Sequence, residues 1–460
     1  MLDTKKTELF ETTPIPQAVM KLAVPTVLAT LVMVLYNLAD TYFVGRIGSA
    51  AETAAVSFAA PVLLAFNAVN NLFGTGTSSL MSRALGKKDY ETAAGASAFG
   101  FYGALVCAVL FSVICTVFRP ALLTLLGVSA DAEEATIRYL FWTVTLGAAP
   151  SILNVVLSFQ VRAEGASMHA SIGSMAGCFL NVILDPIFIM PWGFDMGAAG
   201  AGCATFLSNC AACGYFLVLI AVKGKNTCLS VNPKRLRLNR EIVGGSFIVG
   251  IPAAIQNLLN VTGMTILNNL TASAAAAFGE AAVSPAVAAM GITHKVDMIP
   301  MYISMGMGQG IMPLVGYNFA SGNAERMKKS ITFTVKFMLA FAFAAAAAYF
   351  VFAEDIISLF MKDAEIVSFG GRFLKGFCLA IPFLSLDFLA VGVFQAVGMG
   401  GKSLLFAILR KVALEIPALY LLNHFFPLYG LSYSQLIAEA VLAVLSVFML
   451  RNIFRSAGKK

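Results

Sequence analysis

The chain has 460 residues, 59% of them hydrophobic and only 12% charged, with a mean hydropathy of +0.83. Soluble domains carry about twice that charge, so the composition excludes a water-soluble globule and points to a protein that lives in a lipid bilayer. The formal net charge of +7 sits in short connections and at the ends, where it reads as topology rather than nucleic-acid binding.

The first residues, Met1 to Thr13, are polar with mixed charge and lead into a full-length span, so no cleavable signal peptide is expected. Six apolar runs follow, at Pro16–Val44, Ala51–Met81, Ala93–Phe118, Ile137–Phe159, Met168–Met190 and Ala198–Val222. Each exceeds the roughly 20 residues that cross a hydrocarbon core. The first is interrupted at Pro25 and carries Asp40 near its far end. A basic link then runs from Lys223 to Glu241, with Lys223, Lys225, Lys234, Arg235, Arg237 and Arg240. Six more spans are expected at 242–271, 282–317, 330–352, 366–397, 403–426 and 430–450. Basic residues collect at alternate connections, from Lys5 and Lys6 through Arg83, Lys87 and Lys88 to Arg326, Lys328 and Lys329. The positive-inside rule then gives twelve spans with both termini cytoplasmic.

The fifth span holds the most informative stretch, Asn181-Val-Ile-Leu-Asp185-Pro186. A spacing of four puts the carboxamide and the carboxylate on one helix face. An ionised Asp in hydrocarbon costs at least about 3 kcal/mol, so it faces a polar cavity, pairs, or takes up a proton or ion. Pro186 removes a backbone donor and frees a carbonyl one turn back, and freed carbonyls beside a carboxylate suit a cation.

The halves repeat one another. Leu22-Ala-Val-Pro25 matches Val249-Gly-Ile-Pro252, and Phe159-Gln160 matches Phe394-Gln395. Leu184-Asp185-Pro186 has a looser partner in Leu414-Glu415-Ile-Pro417. Six spans per repeat is even, so the repeats keep one orientation about an axis along the membrane normal, a plan many transporters share. The expected organisation is a first lobe over 1–222, a cytoplasmic linker over 223–241, and a second lobe with a basic tail over 242–460.

Several stretches together carry a family resemblance. They are Asp40-Thr-Tyr-Phe-Val-Gly45-Arg-Ile-Gly48, Arg162-Ala-Glu-Gly165, the Asn181–Pro186 motif, Gly197-Ala-Ala-Gly200-Ala-Gly202-Cys-Ala-Thr205, and Gly308-Gln309-Gly-Ile-Met-Pro313-Leu-Val-Gly316-Tyr-Asn318. Over nearly its whole length the chain resembles the multidrug and toxic compound extrusion (MATE) transporters, of the bacterial MepA-like or DinF-like kind. The resemblance implies a two-lobed, all-α exporter of twelve transmembrane helices in two parallel six-helix repeats, driven by H⁺ or Na⁺. It places the cation-coupling roles on Asp40, Asn181, Asp185 and Thr205, which would also be the ligands of a Na⁺ ion. At about 1.5 Å per residue, these lie roughly 6, 14, 8 and 11 Å in from the outer ends of their helices, a shared depth. Oxygen ligands of this type suit a hard cation, and a carboxylate pair also suits a proton.

Other residues have two readings. Asp297, Asp387 and Glu415 could meet a cationic substrate, or could pair with Lys295, Arg410 or Lys411. His294, three residues before Asp297, could relay protons or simply be a satisfied polar residue. Gln256 and Asn257 stand on the seventh span where some family members use an acid, and Met298 belongs to a methionine-rich stretch suited to an adaptable cavity. These six acids, amides and methionine are the candidate substrate-cavity residues, and Pro25 is the candidate hinge. Cys210-Ala-Ala-Cys213 reads as small packing residues rather than a redox pair. Gly401-Lys402-Ser403 lacks the first glycine of a phosphate loop, Ala396 standing in its place.

The reading is a secondary active transporter, not an enzyme: a cation-coupled antiporter exporting amphipathic, often cationic organic compounds. It would be a multi-pass, monomeric protein of the bacterial inner membrane, using no cofactor beyond the coupling ion. The alternative is a flippase for lipid-linked oligosaccharides, which would show basic residues along the lobe interface; the interior charges here lean acidic. Three scattered histidines supply no catalytic constellation for a membrane-embedded enzyme.

Overall fold

The computed structural model describes residues 4–277 and 279–457, and within them every regular element is a helix. The charged tail beyond Ala457 lies outside the described residues. Twelve long helical segments succeed one another. Spans 1 to 3 are Ile15–Gly45, Ala50–Gly86 and Tyr90–Val117. Span 4 is Glu133–Leu146 with Ala148–Ala163, and spans 5 and 6 are Ser167–Ile189 and Gly197–Lys223. Spans 7 to 9 are Arg240–Ala276, Glu280–Ala320 and Ala324–Val351. Span 10 is Ala364–Cys378 with Ile381–Ala396. Span 11 joins Gly400–Ile408, Leu409–Glu415 and Ile416–Phe425, and span 12 is Ser434–Ala457. Eight of these are long and apolar enough to cross a membrane unaided, and the two bent pairs raise that to ten. Spans 8 and 11 fall outside that set; they carry Lys295 and Asp297, and Arg410, Lys411 and Glu415, respectively.

The two halves share irregularities as well as helices. Span 4 bends by 48° between Leu146 and Ala148, and span 10 by 49° between Cys378 and Ile381. A short helix precedes the fourth span of each half, Arg119–Leu125 in one and Ala353–Ser358 in the other. Bends need a cause in the backbone ladder. Here span 4 carries a wide π-helical turn at Phe141–Leu146, and span 10 resumes at Ile381-Pro382.

Lipid tails are as apolar as leucine, so helices in a membrane hold together by close packing of small residues rather than by hydrophobic expulsion. The halves meet in that way. A Cβ on Gly250 of span 7 would lie 2.0 Å from the Leu72 carbonyl oxygen of span 2. One on Gly86 would lie 2.2 Å from the Tyr317 carbonyl oxygen of span 8, and one on Gly310 would lie 2.6 Å from the Ala23 Cα of span 1. Farther along span 1, the Thr30 hydroxyl donates to the Tyr302 carbonyl at 3.1 Å.

The polar start, read from the sequence as a mixed-charge lead-in to the first span, forms a helix over Thr4–Glu11 that clasps both halves. Phe10 is buried and stacks on Tyr317 with ring centroids 4.8 Å apart, and a Cβ on Gly165 of the first half would sit 2.8 Å from its ring. Arg326 donates to the Phe10 carbonyl at 2.6 Å and the Thr13 carbonyl at 2.5 Å, taking up carbonyls a helix end leaves open. Tyr317 donates to Glu11 at 2.6 Å. The Lys328 ammonium lies 5.9 Å from the Phe454 ring centre, so both ends of the chain are gathered at one end of the bundle. That end also carries Lys87, Lys88 and the 223–241 link.

Close approach makes a prediction. Gly250→Val should cost about 1–3 kcal/mol, the usual penalty of overpacking, seen as a lower Tm in detergent. Gly214→Val, with nothing within 4 Å of its added carbon, should melt like the parent. Equal melting of the two variants would mean that the halves do not need this contact.

Candidate functional site

Span 5 packs along span 1 on one side and span 6 on the other, and the polar residues of all three face the seam. Asp185 and Asn181 stand one turn apart, at 0% and 2% exposure, inside an otherwise apolar helix. Pro186 is inside that helix and brings no N–H, so the Val182 carbonyl lacks its helical donor. The Asn181 amide takes the orientation that satisfies both its ends: its nitrogen donates to Asp185 Oδ2 at 2.8 Å, and its oxygen accepts from the Thr205 N–H at 3.1 Å and hydroxyl at 3.3 Å. Asp40, half-buried on span 1, lies close enough for its charge to act on Asp185. The structure therefore brings all four sequence-derived residues, Asp40, Asn181, Asp185 and Thr205, to one place.

Two further residues join them that the sequence reading did not single out. Tyr36, one turn before Asp40, lies beside the Thr205 side chain and in the field of both carboxylates. Tyr139, buried on span 4 just before its π-helical turn, feels the same two charges. Their spacing held one signal: Tyr36 and Asp40 are four apart and share a helix face. Tyr139 had none, because only the bend of span 4 delivers it. No lysine or arginine pairs with Asp40 or Asp185 among the described residues. The site can hold negative charge, donate hydrogen bonds to it, and offer carboxylate, hydroxyl, amide and carbonyl oxygens to a small cation.

The candidate substrate-cavity residues divide: Asp297, Asp387 and Glu415 gather about Glu439 and Arg410, while Gln256, Asn257 and Met298 stand apart. Gln256 and Asn257 are half-buried on span 7, and Asn257 bonds its own helix at the Ala253 carbonyl. Glu415 is paired with Lys411 at 2.7 Å, on the π-helical turn Leu409–Glu415. Asp387 is fully buried, and the Ser446 hydroxyl donates to it at 2.6 Å. Arg410 lies 3.0 Å from Glu439, a span 12 residue the sequence reading passed over, and stacks 5.2 Å above the Phe388 ring. Asp297 is buried, while Met298 beside it is half-buried. His294 packs edge-on to Phe377, at 6.3 Å between ring centres. Pro25 lies inside an unbroken first span, well below the acidic site.

The bundle of long apolar helices, halved by an internal repeat, defines a multi-pass membrane transporter. The MatE family model matches twice, over residues 25–187 and 252–421, and the chain belongs to the MATE family. It is 33% identical over 448 residues to the multidrug export protein MepA of Staphylococcus aureus (strain MRSA252), covering 96% of each chain. Among solved structures it resembles an outward-facing multidrug resistance MATE transporter of the MOP superfamily, with a TM-score of 0.89, and a MATE protein in its straight conformation, with a TM-score of 0.91. Both are 25% identical, and both matches cover 100% of each chain.

The site's hydrogen bonds predict a measurable coupling. Asn181→Leu removes a donor to a buried carboxylate and should cost about 1.5–3 kcal/mol, the range for bonds to charged groups. Adding Asp185→Leu should recover part of that loss, because the unpaired charge goes with it. Strictly additive losses in a double-mutant cycle of melting would show that the two side chains do not interact.

Proposed function

We propose that this MATE transporter is a cation-coupled antiporter that exports amphipathic, often cationic organic compounds. Asp40, Asn181, Asp185 and Thr205 would take up H⁺ or Na⁺, supported by Tyr36 and Tyr139. One observation carries the reading: Asp40 and Asp185 lie within reach of each other's charge along the seam of spans 1 and 5, and neither is paired with a lysine or arginine among the described residues. Like charges close together in a low-dielectric interior repel strongly, and a proton or ion relieves that repulsion.

The two ions make different demands on Asn181. A proton can add to either carboxylate and leave the amide where it is. Na⁺ needs oxygens, so it would displace the Asn181–Asp185 bond and turn the amide over. The lobes, 1–222 and 242–460 about the 223–241 linker, would rock to give alternating access at a bacterial inner membrane, with both termini cytoplasmic. Their contact at the basic end corresponds to a cytoplasmic gate that is shut. Pro25 weakens the helical ladder of span 1 between that gate and Asp40, so it is placed to let the span bend as the ion binds. Gln256, Asn257 and Met298 are candidates for the substrate path. Asp297, Asp387 and Glu415 serve there less well, since Glu415 already has Lys411 and Asp387 has Ser446.

In proteoliposomes, an imposed H⁺ or Na⁺ gradient should drive efflux of a labelled organic cation, and Asp40→Asn or Asp185→Asn should abolish it while the protein still folds. Gradient-driven efflux at the wild-type rate in either variant would refute the assignment. Accumulation of a lipid-linked oligosaccharide in place of the cation would favour the flippase.

Topology gives a separate test. A single cysteine within 225–238 should react with an impermeant thiol reagent only from the cytoplasm, and one at Asp195 only from outside. Reaction of both from one side would overturn the proposed orientation.

A further inference from the structure

One cavity of the described structure lies away from the acidic site. It lies at the basic end of the bundle, has a volume of about 630 Å³, and is open to the surface. Span 3 supplies one wall through Tyr90, Glu91 and Ala94. The link between the halves supplies the other through Lys234, Arg235 and Arg237.

This link is built in place. The buried Glu164 carboxylate accepts from the Thr227 hydroxyl at 2.8 Å and the Leu229 N–H at 3.1 Å, and also binds the Cys228 N–H. Tyr102 donates to the Val231 carbonyl at 2.7 Å, and the Ser230 N–H donates to Ser97 at 3.1 Å. A Cβ on Gly95 would lie 2.7 Å from Ile242 and 3.8 Å from the Arg237 side chain, so the link lies hard against span 3. Asn232 accepts from the Lys234 N–H at 3.0 Å and fixes the turn Pro233–Arg235. A loop needed only to connect two halves would not require this many anchors.

The charges that line the cavity are unbalanced. Arg237 is paired with Glu91. Lys234 and Arg235 are exposed and have no ion-pair partner among the described residues. Two free cations thus face one cavity, and the Tyr90 ring forms part of its wall at the end of a membrane-crossing helix. Tyrosine is at home at that level of a bilayer. Basic pockets between helices at this boundary match the headgroups of anionic lipids, each cation contributing about 1 kcal/mol.

We propose that this cavity binds the phosphate headgroup of an anionic phospholipid from the leaflet at the basic end, with Lys234 and Arg235 as the charged contacts and Tyr90 at the acyl boundary. The site is separate from Asp40 and Asp185, so it does not depend on which ion or compound the protein moves.

The test uses the full chain in nanodiscs of phosphatidylcholine doped with phosphatidylglycerol, with bound lipid counted by native mass spectrometry. Lys234→Ala/Arg235→Ala should weaken phosphatidylglycerol retention by about fivefold per charge removed. Arg451→Ala/Arg455→Ala removes the same charge from the end of span 12 and should leave retention unchanged. Equal losses in the two double variants would reduce the effect to bulk charge and overturn the site, as would no loss in either. Millimolar inorganic phosphate that displaces phosphatidylglycerol, and itself raises the Tm as far, would replace the lipid with a soluble phosphate and overturn the assignment.

Discussion

A charge taken out of water must find compensation, and in this protein that constraint bears on one carboxylate above all. Asp185 has no exposure to solvent, lies about one turn from the end of an apolar helix, and has Asp40 nearby. Desolvating an ion costs several kcal/mol even after the protein relaxes around it. One hydrogen bond from Asn181 and the neighbouring hydroxyls offset only part of that cost. The remainder is what a cation or proton would offset in the proposed coupling. The surrounding architecture suits such an occupant: Pro186 leaves a free carbonyl next to the acid, and the bend of span 4 brings Tyr139 up to it.

Such a site is useful only if the structure around it can take up two arrangements. Backbones that touch through glycine are suited to this. Gly86, Gly250 and Gly310 let helices of opposite halves approach until carbonyl oxygens and α-carbons are in contact. Contacts of this kind are many, weak and without side-chain interlocking, so they can separate and reform with little reorganisation. The N-terminal helix works differently. Its hydrogen bonds to Arg326, Tyr317 and Asn318 and its buried Phe10 are specific. They fix the basic end in one arrangement, and opening that end requires their release as a group.

Much of this was legible in the sequence because hydrocarbon leaves few choices. Long apolar runs must be helices, and a buried acid with an amide one turn away stands out, so Asn181 and Asp185 could be read directly, while the roles of Asp40 and Thr205 came from the family resemblance. Residues that look ordinary until the fold delivers them stayed hidden. Tyr139 reaches the site through a π-helical turn, and no period in the sequence announces one. Glu439 sits in a span whose other face is plainly apolar, and its partner Arg410 comes from another helix. The N-terminal helix is polar almost throughout, and only Phe10 marks its buried side. The basic cavity depends on where the 223–241 link lies, which is decided by Glu164, Ser97 and Tyr102 on other segments.

The halves share a frame but differ in how they balance charge. Spans 4 and 10 bend alike, and the same short helix precedes each. In the second half, buried Glu439 has Arg410, and Glu415 has Lys411. Those cations are part of the chain. In the first half, Asp40 and Asp185 have amide, hydroxyl and phenol neighbours but no lysine or arginine among the described residues. A cation that comes and goes changes the energy of a site only where its place is not already filled. In the first half that place is open at Asp40 and Asp185; in the second, Glu439 and Glu415 are paired, while Asp297 and Asp387 have no ion pair among the described residues. A ligand shifts a conformational equilibrium by its differential affinity for the two states. On the proposed coupling, Asp40 and Asp185, which have no countercharge of their own, are the acids whose surroundings would follow the ion.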